Sequence, residues 1–203
     1  MKRFFLILLL FCCWANIHAQ IARSSGLVFY GGKGSTRYDT APLAPDLPPF
    51  DPRGTYFDSK YTVGMGYRWR LNRPGSRWFV DLALSARYSR YEYGFQYQSD
   101  GHEFYAGGMG AHNMLAVSFA GSAGYYLYKG LNLSVGVEPS YYLCDRRFFD
   151  FPAFVKLGYD FGFMEFAVVY KVGLTRKFAA VPYRNIGLSQ WECSLYVPLF
   201  RRK

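Results

Sequence analysis

Eight segments in which apolar and non-apolar residues alternate strictly, connectors that are short and long by turns, and an apolar face much bulkier than its opposite predict an all-β fold. The expected architecture is an eight-stranded antiparallel up-and-down transmembrane β-barrel. The chain has 203 residues, enough for one domain; 21% are aromatic and 19% charged. Beyond the N-terminus no apolar run approaches the roughly 18 residues of a spanning helix, so any membrane crossing falls to strands.

Residues 1–19 stand apart. Lys2 and Arg3 precede an apolar run from Phe4 to Trp14, and Asn16, Ile17, His18 and Ala19 lead to Gln20. A charged start, a short greasy run and a small residue at the cut make a secretory signal peptide, leaving residues 20–203 as the barrel domain. The run is too short for a retained anchor. Leu10 and Phe11 before Cys12 and Cys13 are not the small residues of a lipoprotein signal.

The first strand is expected over 26–34, with its facing open. In 58–71, Tyr61, Val63, Met65, Tyr67 and Trp69 alternate with Thr62, Gly64, Gly66, Arg68 and Arg70. In 77–92, Trp78, Val80, Leu82, Leu84, Ala86 and Tyr88 oppose Phe79, Asp81, Ala83, Ser85, Arg87 and Ser89. Residues 111–127 and 131–143 follow, the latter setting Leu131, Leu133, Val135 and Val137 against Asn132, Ser134, Gly136 and Glu138. Strands over 153–160, 165–175 and 187–200 complete the set. The connectors 72–76, 128–130 and 161–164 are tight, while 35–57, 93–110, 144–152 and 176–186 are long. That asymmetry matches short periplasmic turns and longer outside loops, and an even strand count puts both chain ends in the periplasm.

Content decides which face is wet. The polar face holds Lys60, Arg68, Arg70, Arg87, Lys156 and Lys171 against Asp81, Glu138, Asp160, Glu165 and Glu192, separated mostly by Gly, Ala and Ser. A narrow lumen needs small residues, and charge inside it needs a partner, so lumen ion pairs are expected. A hairpin register summing to 149 sets Arg68 across from Asp81. The apolar face ends near the turns in Trp69, Trp78, Tyr125, Tyr128, Phe161 and Phe163, an expected aromatic girdle at a membrane interface.

With its signal peptide ending NIHAQ, eight alternating strands, alternating loop lengths and a last strand WECSLYVPLF, the chain resembles the small outer-membrane β-barrel family, which includes the OmpA transmembrane domain, OmpX and PorT-like barrels. The resemblance covers residues 20–200 and is one of architecture. It implies the bacterial outer membrane, outer-membrane lipid including lipopolysaccharide as surroundings, the barrel assembly machinery as a partner, and an envelope protein as a possible further partner. Such barrels commonly finish on an aromatic residue, whereas here Phe200 is followed by Arg201, Arg202 and Lys203.

Other features are weaker. The loop 35–57 holds five prolines, read as stiffening, and exposes Tyr38, Phe50, Tyr56 and Phe57 as loop contact candidates. His112 is expected in the lumen near the outer end. Ser118 lies six residues further along a strand, roughly 20 Å away, so no Ser–His–acid set assembles. DFG at 160–162 reads as a turn, GGMG at 107–110 precedes a strand rather than a helix, and the sequon at Asn132 falls within a membrane strand. Cys144 and Cys193 suggest neither a disulfide nor a metal site. The net charge of +10 suits phosphate-bearing lipid better than nucleic acid in an exported protein. The expected function, without cofactor or metal, is non-enzymatic: surface interaction, envelope structure or docking to a larger envelope or secretion complex. The alternatives are a lipid A-modifying enzyme and a small pore.

Overall fold

A computed structural model of the protein describes residues 22–39, 55–96, 108–143, 147–180 and 183–201. The signal-peptide reading and the positions of Phe50, His102 and Cys144 lie outside them. The strands are β1 (Ala22–Asp39), β2 (Tyr56–Asn72), β3 (Trp78–Phe95), β4 (Gly108–Tyr128), β5 (Leu131–Val137), β6 (Ser140–Leu143), β7 (Phe148–Asp150), β8 (Ala153–Asp160), β9 (Glu165–Val172), β10 (Phe178–Ala180) and β11 (Tyr183–Arg201). They form eight staves, since β6 continues β5, β7 continues β8 and β10 continues β9. Neighbouring staves pair antiparallel. β1 pairs with β11 from Ser24↔Arg201 to Asp39↔Arg184, which closes the ring.

Proline explains two of the three interruptions, because it lacks the N–H a ladder needs. Pro139 separates β5 from β6, and Pro152 separates β7 from β8. Their carbonyls still accept, from Phe119 N (3.0 Å) and Glu138 N (2.8 Å) respectively, so the wall stays bonded across the breaks. The short turns follow from local chemistry too. Lys129 (φ 37°) and Gly130 (φ 92°) both take positive φ, as a two-residue turn matched to strand twist requires. The Asp160 carboxylate accepts from Gly162 N at 2.7 Å and caps the turn spelled DFG.

The outward face carries the bulk. On β3 it runs Trp78, Val80, Leu82, Leu84, Ala86 and Tyr88, a stretch of the length that crosses a bilayer, and then turns to Arg90 and Glu92. β4 spans 21 residues and β11 spans 19, about twice the 9–11 that a tilted crossing uses, so the wall stands well clear of the membrane on the side away from the tight turns.

Three expectations need correction. The β2–β3 register sums to 151, not 149, so Arg70 faces Asp81 and Arg68 faces Ala83. A bulge between Ser59 and Tyr61 makes Lys60 an extra residue and reverses the facing of the chain before it. Lys60 therefore points outward and pairs with Glu92 at 3.0 Å. Tyr38, Tyr56 and Phe57, expected on an exposed loop, lie on β1 and β2, which run further than the alternation showed, and Phe57 is 1% exposed inside the barrel.

Candidate functional site

The interior is filled in three storeys. The lowest, nearest the tight turns, brings together Arg68 and Arg70 of β2, Asp81 of β3, Lys156 of β8 and Glu165 of β9. Arg70 grips Asp81 through two bonds, Nε to Oδ1 (2.7 Å) and Nη2 to Oδ2 (2.8 Å), and reaches Glu165 Oε2 through Nη1 (2.5 Å). Arg68 Nη1 donates to Glu165 Oε1 (2.8 Å), and Lys156 Nζ donates to Asp81 Oδ2 (2.7 Å). Asn132 adds a bond to Glu165 at 3.2 Å. Tyr126 accepts from Arg70 and donates to Asp160 Oδ2 at 3.3 Å, which places Asp160 at the rim of this storey. The rings of Tyr196 and Phe79 lie under the Arg68 and Arg70 guanidiniums, at 3.6 and 4.1 Å.

The middle storey is a four-charge square. Arg87 donates to Glu138 (2.6 Å), and Lys171 Nζ donates to the same carboxylate (2.8 Å). Both cations also contact Glu192, at 3.0 and 2.7 Å. All four are buried, so each charge is compensated by neighbours rather than water. Between these two storeys lies a cavity of about 40 Å³, lined in part by Tyr30, Ser122 and Ser194, with room for a water or two. Small residues make the space: a Cβ on Gly64 would sit 2.6 Å from Arg87 Cγ.

The upper storey is apolar. Phe57, Tyr91, Met114, Phe178, Ile186 and Leu188 are buried together, with Tyr93, Phe95, Tyr142 and Phe148 packed against them. His112 belongs here, its ring 5.1 Å from Tyr93 and 6.4 Å from Phe57. Ser118 sits a storey lower, bonded to Ser140 at 3.0 Å. The signal for this plug was in the chain: Tyr91 and Met114 continue the inward parity of β3 and β4, so large apolar residues replace small polar ones toward the outer end.

Outside, Trp69, Trp78, Tyr125, Tyr128, Phe161 and Phe163 ring the tight-turn end, with Trp78 and Tyr125 4.9 Å apart. A second ring absent from the sequence expectation marks the other edge of the belt: Tyr61 beside Tyr88, Tyr141, and Tyr170 against Trp191 at 4.6 Å. Tyr56 is half-exposed on the protruding wall, and Tyr38 lies on β1 with its side chain outside the described residues.

No protein-family model matches the chain, and no curated protein matches its sequence. Among solved structures it is similar to Ail, the attachment invasion locus protein of Yersinia pestis, solved in complex with the heparin analogue sucrose octasulfate; identity is 10% over 88% of this chain and 99% of that chain, with a TM-score of 0.46. It is also similar to the outer membrane protein OprG from Pseudomonas aeruginosa (10% identity, 87% and 94% covered, TM-score 0.43) and to the outer membrane protease OmpT from Escherichia coli (11%, 88% and 96%, 0.33). Its own geometry is decisive: a closed antiparallel ring of eight staves with a lipid-facing belt between two aromatic girdles is a β-barrel of the bacterial outer membrane.

Proposed function

We propose that this barrel is a non-conducting, non-catalytic protein of the cell surface whose working part is the collar of strands that rises beyond the outer girdle. The observation that carries this reading is the filling of the lumen. Two layers of buried ion pairs and an aromatic plug lie in series across the interior, and the cavity between the ion-pair layers measures only about 40 Å³. Transport through such a bore would require several buried bridges to part together, each break leaving uncompensated charge. A collar stiffened by its own core instead offers a preorganised surface for a partner, at the cell surface or within a larger envelope complex. The enzymatic alternative lacks support in the same place: His112 is stacked among aromatics, a storey above Ser118.

Planar-bilayer recording on the refolded mature chain tests the first half, with no steady conductance steps expected. Mass spectrometry of lipid A from cells carrying the wild type or His112→Ala tests the second, with identical acylation expected. Discrete channel openings, or a lipid A change abolished by His112→Ala, would overturn the reading.

A further inference from the structure

Among the described residues, the fully exposed charged side chains at the tight-turn end of the barrel are all basic. Arg73 and Arg77 flank the β2–β3 turn, Lys129 forms the β4–β5 turn and Arg201 ends β11, and all four side chains are exposed. They lie along one arc of the rim. Ser24 pairs with Arg201 while Ala22 pairs with Asn72, so the start of β1 sits between Arg201 and Arg73. Tyr126 N bonds the Arg77 carbonyl at 2.9 Å, which joins that turn to the stave carrying Lys129. Among the described residues none of the four forms an ion pair. Of the described acids at this end, Glu165 is held by Arg68 and Arg70 inside the barrel, and Asp160 has both oxygens engaged, by Gly162 N and by the Tyr126 hydroxyl. The remaining turn, 161–164, is instead apolar and presents Phe161 and Phe163.

The level of these cations is set by the aromatics beside them. Arg77 precedes Trp78, and Lys129 Nζ lies 5.1 Å over the Tyr128 ring. Trp and Tyr mark the interfacial zone of a bilayer, so the adjoining cations reach the phosphate layer of the periplasmic leaflet. Guanidinium forks suit phosphate oxygens, and unpaired cations near an anionic surface gain from each net negative headgroup.

We propose that this basic arc is a docking site for anionic phospholipid of the periplasmic leaflet, with phosphodiester headgroups gathered by Arg73, Arg77, Lys129 and Arg201 while the 161–164 turn seats in the acyl region. The site is independent of the collar and of any partner there.

The test uses the full mature barrel in vesicles of equimolar phosphatidylglycerol and phosphatidylcholine. Native mass spectrometry then counts the lipids retained. The wild type is expected to keep phosphatidylglycerol in preference to phosphatidylcholine. The variant R73Q/R77Q/K129Q/R201Q should lose that preference, by up to roughly fivefold per charge removed. A collar variant, K33Q/K60Q/R90Q, in which Lys33 pairs with Trp191 and Arg90 with Tyr61 at the collar's base, should keep it. Undiminished enrichment in the rim variant, no preference in the wild type, or an equal loss in the collar variant would each overturn the proposal. Should the quadruple variant fail to fold, R77Q and K129Q singly carry the same comparison with a smaller expected loss.

Discussion

Glu165 is the keystone of the lower storey. It accepts from Arg68, Arg70 and Asn132, and Lys156 Nζ stands 3.5 Å away, so three cations converge on Glu165 and Asp81. Glu165→Gln keeps the shape and removes the charge, leaving three buried cations against one acid. Breaking a buried network from one side costs about 3–5 kcal/mol, far more than an intact pair contributes, because the stranded partners have no water to turn to. The expected outcome is a fall of that size in urea-unfolding stability in lipid or detergent, followed by tryptophan fluorescence. The collar pair Lys60–Glu92 provides the contrast. It is partly exposed, and Lys60→Ala should cost no more than about 1 kcal/mol.

At the scale of the strand, one face meets hydrocarbon along its membrane stretch, and the cost of polarity there depends on depth. Leu84 of β3 lies outward in mid-belt, between Trp78 of one girdle and Tyr88 of the other. Leu84→Arg should destabilise the folded barrel by about 2–4 kcal/mol, whereas the same change at Asn113, outward on β4 beyond the outer girdle, should be close to neutral. Equal effects at the two positions would mean that the belt has been placed at the wrong height. The period-2 pattern that makes the belt was legible in the chain, because alternation over β3 or β5 admits one reading once the large side belongs to lipid. Strand ends and registers were less so. Nothing in the residues around Lys60 announces a bulge, and a hairpin sum of 149 differs from 151 by a slip that keeps every side chain on its own face. Facing was therefore readable while the specific partner of Asp81 was not. Pro139 and Pro152 were visible, but their opposed placement across two staves emerges only when those staves pair.

Taken whole, the molecule has two cores of different chemistry stacked on one axis, a charged one within the membrane and an aromatic one in the collar. The ionic core was largely readable because buried charge must find its opposite. The aromatic core was obscured by the loop-like region before β2, whose prolines hide the fact that β2 begins at Tyr56 and that the bulge turns Phe57 inward. The two cores should fail separately. Phe57 stacks on Tyr91 at 5.5 Å and meets Phe178 edge-on at 5.9 Å, and Phe178 in turn contacts Phe148, so one ring ties β2, β3, β7 and β10 together. Phe57→Ala removes a buried aromatic of a kind whose loss costs about 3–5 kcal/mol in a packed core. Because the collar lies outside lipid, that loss should appear as local opening rather than global unfolding. Amides of the collar ends of β2, β3 and β11 should exchange with solvent much faster in Phe57→Ala than in wild type. The stretch carrying Arg70, Asp81 and Glu165 should keep its protection, and the folded band on an unheated gel should remain. If protection is lost evenly from collar to tight turns, the two cores are a single cooperative unit and the collar is no independent platform.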